Sequence, residues 1–132
     1  MYHVLLALDE TESRALAQAN AVIDLPESDS SVKASLLHSF TDNPSGASAL
    51  QVAGVRRAQE TLEDAGVETA VVEASGNPAD VILDVAVERN VDCVCVGGRR
   101  RSPAGKALFG SVAQSVILTA DRPVLVAGDG KE

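Results

Sequence analysis

The sequence predicts an α/β protein built on a five-stranded parallel sheet, doubly wound and Rossmann-like, with helices on both faces. Three observations carry that prediction. Short apolar runs alternate with segments whose apolar residues recur at helical spacing. The runs are near-continuous Val, Leu, Ala and Cys, as strands covered on both faces require. Right-handed crossovers between such strands then favour winding in both directions.

The first run, "YHVLLALD" (2–9), ends at an acid and reads as a strand. The helix after it, "ETESRALAQANAVIDL", places Leu16, Ala19, Val22 and Ile23 at helical spacing, with Thr11 as its expected N-cap. "PESDS" (26–30) is turn chemistry that ends this helix, and "VKASLLHSF" (32–40) is the second strand. Beyond the polar stretch "TDNPSGAS", a second helix carries an apolar stripe of Leu50, Ala53, Val55, Ala58, Leu62 and Ala65, with Gly66 as its C-terminal stop. "VETAVVEAS" (67–75) is the third strand, and Asn77 with Pro78 is a favoured N-cap and first-turn pair for the helix "PADVILDVAVERN". A fourth strand, "VDCVCVG" (91–97), a loop, a helix (111–120) and a final strand (124–128) complete a βαβαβαβαβ order.

At 132 residues and 45% hydrophobic content the chain fits one domain, residues 1–132, with one core. It shows neither a secretory signal pattern nor an apolar run long enough to cross a bilayer, so a soluble, cytoplasmic protein is expected. Nineteen acidic against eleven basic residues give a net charge of −8, which argues against nucleic acid and anionic membranes as partners. Only Lys33, Lys106 and Lys131 are lysines, an acidic, lysine-poor composition that suits a halophilic source. Melting in increasing potassium chloride checks this: the melting temperature should rise, and a fall counts against a halophilic origin.

Cys93 and Cys95 lie two apart on a strand and so share one face. With no further Cys or His nearby to complete a metal site, they read as small buried hydrophobes.

The segment "GGRRRSPAGKALFGS" (97–111) is the candidate site. It is not a Walker A loop: six residues, not four, separate Gly98 from Gly105, and Ala107 stands where the hydroxyl would be. Nor do three glycines pack into a dinucleotide-type turn. Parallel sheets bind ligands at the carboxyl ends of strands where the winding reverses, which selects this loop and the surroundings of Asp9. Gly110-Ser111 opens a helix, whose free N–H groups and dipole favour an anion. Gly97 and Gly98 end a strand where a missing β-carbon permits close approach, and Arg99, Arg100 and Arg101 are a local basic run suited to phosphate. A solvated basic loop without a ligand fits the same residues. Asp9 has two readings, as a cap of the following turn or as an acceptor for a ribose or an exocyclic amine. His3 and His38 both lie on strands and read as structural, so no catalytic residue is assigned.

With "LLALDETES", "SLLHSF", "SGNPADVI" and "GGRRRSPAGKALFGSVAQ" in this order, the chain resembles the universal stress protein family over nearly its whole length. The resemblance implies an adenine nucleotide alpha hydrolase-like fold and a stress-response or signalling homodimer. That dimer would bind ATP, or AMP, with magnesium as the accompanying ion. It implies contacts from Leu8 and Asp9 on the first strand, Ser39 on the second, and Gly97, Gly110, Ser111 and Val112 around the phosphates. It also implies dimerisation through the last strand, residues 123–128, and at most slow ATP hydrolysis. The family's Gly-x2-Gly-x9-Gly-[Ser/Thr] pattern is kept at both ends, but Arg100 replaces its second glycine. An arginine held there against a positive φ costs about 1–3 kcal/mol or obstructs the phosphates. One that swings outward adds a charge-assisted bond worth about 1.5–3 kcal/mol. The first outcome makes the chain a nucleotide-independent interaction protein, the second a nucleotide binder to which Arg99 and Arg100 contribute.

Overall fold

In a computed structural model, which describes residues 1–9, 11–40, 52–98 and 110–128, five parallel strands form one sheet in the order β3-β2-β1-β4-β5. The strands are β1 (Tyr2–Ala7), β2 (Val32–Phe40), β3 (Glu68–Ser75), β4 (Cys93–Gly97) and β5 (Val124–Ala127). Helices α1 (Glu12–Ile23), α3 (Ala53–Asp64), α4 (Pro78–Glu88) and α5 (Ser111–Thr119) are the crossovers. A one-turn helix, α2 (Ser28–Ser31), stands where the sequence reads as turn, entered through Glu27 in the left-handed region at φ 56°. Its Ser28 Oγ donates to the Ile23 carbonyl at 2.7 Å, closing the end of α1.

Period-two alternation along the strands assigns side chains to two cores. Val4, Leu6, Ala34, Leu36, Cys93 and Cys95 face α1 and α3, where they meet Ala15, Ala19, Val22, Val55, Ala58 and Leu62. Leu5, Leu37, Val72, Val94 and Val96 face α4 and α5, against Ile82, Val85, Ala86, Ala113 and Val116. This two-sided burial is why the central strands β1 and β4 are nearly continuous apolar runs, while the edge strand β3 keeps Glu68, Thr69 and Glu73. Both cysteines are free and buried on one face as expected, and burial pushes the Cys95 thiol up to about 12, so it packs as a hydrophobe.

Helix ends follow from local chemistry. Gly66, at φ 83°, lets the Gly66 and Val67 amides turn back onto the Glu63 and Leu62 carbonyls at 2.9 and 3.0 Å. Asn90, at φ 50°, does the same for α4, with Asn90 and Val91 donating to Val87 and Ala86 at 3.1 Å each. At the start of α4 the Asn77 side chain accepts from the Asp80 amide at 3.3 Å, with Pro78 in the first turn, as the sequence predicts. Thr11 does occupy the N-cap position of α1, but its side chain does not cap; its hydroxyl accepts from Arg14 instead, at 2.7 Å.

The face of α1 also departs from expectation. Leu16 is only half-buried, and the core side of the helix runs through Ala15, Gln18, Ala19 and Val22. Gln18 is 1% exposed, and its Nε2 donates to the carbonyls of Ala7 at 3.1 Å and Cys95 at 3.0 Å. The β1–β4 ladder runs Val4 to Leu6 against Cys93 to Cys95, so these two carbonyls stand where the strands part. A leucine there could satisfy neither of them.

Candidate functional site

Strand order reverses between β1 and β4: β2 and β3 lie on one side of β1, β4 and β5 on the other. Beyond their carboxyl ends lies a cavity of about 260 Å3, in the position where parallel sheets take ligands. Its apolar wall includes Ala7, Leu8, Leu37, Ile82 and Val96, and its polar groups come from Asp9, Arg14, Gln18, His38, Ser39 and Ser111.

The described site residues expected from the sequence converge on this cavity. Leu8 and Asp9 leave β1, Ser39 nears the end of β2 and Gly97 ends β4, while Gly110, Ser111 and Val112 open α5. Arg99 and Arg100, with Arg101, lie outside the described residues, as do the "TDNPSGAS" segment and most of the loop. Gly110 is the N-cap of α5, with extended backbone and no side chain to cap the first turn. Its carbonyl accepts the Gln114 amide at 3.0 Å. The amides of Ser111, Val112 and Ala113 thus begin a nine-residue helix without intrahelical acceptors, at the positive end of its dipole, on the cavity.

Asp9 acts here as a cap. Its Oδ1 accepts the Thr11 amide at 2.8 Å, and its Oδ2 takes Arg14 Nε at 2.9 Å and Nη2 at 2.8 Å. The two strand-end glycines face protein more than open space. A β-carbon at Gly97 would lie 3.4 Å from Arg14 Cδ, an ordinary contact, and one at Gly98 would crowd Val126 Cγ1 at 3.2 Å. Gly98 is small to let β5 pack, its amide donating to the Ala127 carbonyl at 2.8 Å.

His38 lines the cavity, and its ring Nδ1 donates to the Leu8 carbonyl at 3.0 Å, buried, continuing the β1–β2 pairing. Ser39 Oγ donates to the Gly76 carbonyl at 3.3 Å, and Gly76 sits at φ 131°, open to glycine, where the chain turns from β3 into α4. His3 lies at the other end of the sheet, its Nε2 2.6 Å from Ser35 Oγ; burial first, then the Lys33 charge, lowers its pKa. Among the described residues no cluster of His, Cys, Asp and Glu could hold a metal.

Residues 1–128 match the Universal stress protein family. The chain belongs to that family. The universal stress protein YxiE of Bacillus subtilis is 33% identical over 72 residues, 54% of this chain and 49% of that protein. The alignment therefore spans about half the length of this curated relative. A universal stress protein structure from Archaeoglobus fulgidus is 28% identical with a TM-score of 0.67, covering 96% of this chain and 98% of its own. A second, described as that organism's universal stress protein in complex with dAMP, has the same fold at 22% identity and a TM-score of 0.67, over 96% of this chain and 97% of its own.

Arg14 and Gln18 are polar cavity residues that the sequence alone did not assign to the site. The signal was present: they are polar residues four apart, and therefore on one face, in a helix whose other inward positions are alanine and valine.

Proposed function

We propose that the cavity binds an adenine nucleotide, ATP or AMP, and that the protein acts as a stress-response or signalling homodimer with at most slow hydrolysis. One observation carries the reading: the open amino end of α5 and the polar ends of β1 and β2 border the same apolar-walled cavity. Phosphate suits the helix end, and a base and sugar suit the remainder. At about 260 Å3 the cavity is near the lower bound of ligand pockets, roughly 300 Å3. A nucleoside would therefore fill it, with its phosphates at the mouth. The dAMP complex of the related fold supports an adenine nucleotide as a ligand this architecture can hold. Magnesium, if it accompanies ATP, would be carried on the phosphates, because the Asp9 carboxylate is already engaged by Thr11 and Arg14.

Dimerisation through β5 is part of the same proposal. This edge strand, "VLVA", carries no charge, while the opposite edge, β3, carries Glu68 and Glu73. Carboxylates protect an edge from pairing, and an apolar edge invites a partner.

Calorimetric titration of nucleotide-stripped protein with ATP and magnesium, and with AMP, tests the site. We expect saturable binding with one nucleotide per chain. An Arg100→Gly variant run alongside separates the alternatives: binding only by the variant would mean that arginine closes the loop and that the protein acts through its surface.

A further inference from the structure

We propose that Arg14 is a phosphate-binding residue of this cavity, aimed by Asp9, and that it makes the site prefer phosphorylated nucleosides to bare ones. The proposal rests on the nucleotide reading above and assigns its charge recognition to α1 as well as to the loop and α5.

Arg14 sits in the first turn of α1, with its aliphatic stem laid over Gly97 at the end of β4. The stem passes within van der Waals reach of Gly97, where a β-carbon would lie 3.4 Å from Cδ and 3.6 Å from Cβ of the arginine. Beyond the stem the guanidinium is held along one edge. Nε donates to Asp9 Oδ2, and Nη2 donates to Thr11 Oγ1 at 2.7 Å while lying 2.8 Å from Asp9 Oδ2 in the ion pair. Nη1 has no partner among the described residues, so two N–H donors of a fixed planar group stay available. Arg14 is also the only lysine or arginine among the described cavity-lining residues.

An arginine fixed by a carboxylate keeps its orientation without losing its charge, which lowers the ordering cost of meeting a phosphate. Neither Asp9 nor Arg14 is buried, at 52% and 29% side-chain exposure, so an ordinary surface ion pair would contribute little and its removal should scarcely move the melting temperature. Ligand selectivity is therefore the property that distinguishes the two roles.

The test is calorimetric titration of the full chain, and of Arg14→Met and Arg14→Lys, with adenosine, AMP and inorganic pyrophosphate. We expect Arg14→Met to weaken AMP tenfold or more while adenosine changes less than twofold, with Arg14→Lys recovering part of the loss. AMP affinity unchanged in Arg14→Met, or adenosine and AMP weakened alike, would overturn the proposal. Should the native protein bind neither adenosine nor AMP, the nucleotide reading fails and pyrophosphate decides the role of Arg14. Pyrophosphate bound by the native protein and lost in Arg14→Met would keep Arg14 as an anion ligand. Pyrophosphate bound by neither, or equally by both, would remove it.

Discussion

Replacing Gln18 with leucine is expected to lower the melting temperature by about 10 °C, more than any surface substitution in the molecule. Leucine matches the volume and fits the alanine-lined side of α1, so packing changes little. Lost are the Nε2 donors that serve the Ala7 and Cys95 carbonyls at 3.1 and 3.0 Å. The buried Cys95 carbonyl left unpaired costs about 1–3 kcal/mol, and the part-buried Ala7 carbonyl about 1 kcal/mol. Together they amount to roughly 3 kcal/mol, and a chain of this size loses about 3–4 °C per kcal/mol. Thermal unfolding followed by circular dichroism measures it. A shift under about 2 °C would mean that water takes over both carbonyls, and that the seam between β1 and β4 is wetter than its geometry indicates. Nucleotide affinity should fall as well, because Gln18 also lines the cavity.

Replacing Val126 with lysine is expected to convert the proposed dimer into a monomer. Val126 is 38% exposed on the edge strand, so the monomer fold should tolerate the change. In a symmetric pair of β5 edges the two lysines would stand near the twofold axis, where like charges repel and where lysine is a natural edge protector. Light scattering at micromolar protein should give twice the chain mass for the native protein and the single mass for the variant. A native protein that is already monomeric would refute pairing through residues 123–128.

The order of the strands and main helices could be read from the chain because burial on two faces leaves a plain pattern: apolar runs, Gly66 at a helix exit, and Asn77-Pro78 at an entry. Gly66 and Asn77 act as their types predict, since each is governed by its own few neighbours. What was not legible depended on distant contacts. Gln18 becomes a core residue only because β1 and β4 part beneath it, a fact about residues 77 positions apart. The bareness of Gly98 makes room for a valine from β5, a distant contact, while Gly97 lines the cavity beside an arginine stem from α1. Asp9 was open to two readings, and the position of Arg14, five residues on, draws it into a cap. The one-turn α2 escaped notice because a four-residue helix carries no period to detect.

The short ladder between β1 and β4 has a mechanical consequence. β2 pairs with β3 from Lys33 to Phe40 and with β1 from Tyr2 to Ala7, whereas β1 meets β4 only from Val4 to Leu6. The β3-β2-β1 half is thus joined by long ladders, while β4 is held by three pairs to β1 and four to β5, with Gln18 of α1 bonded to both sides of the β1–β4 join. A molecule lodged at the end of that join would touch β1, β2 and β4 together and so add to the few contacts that tie the two halves of the sheet.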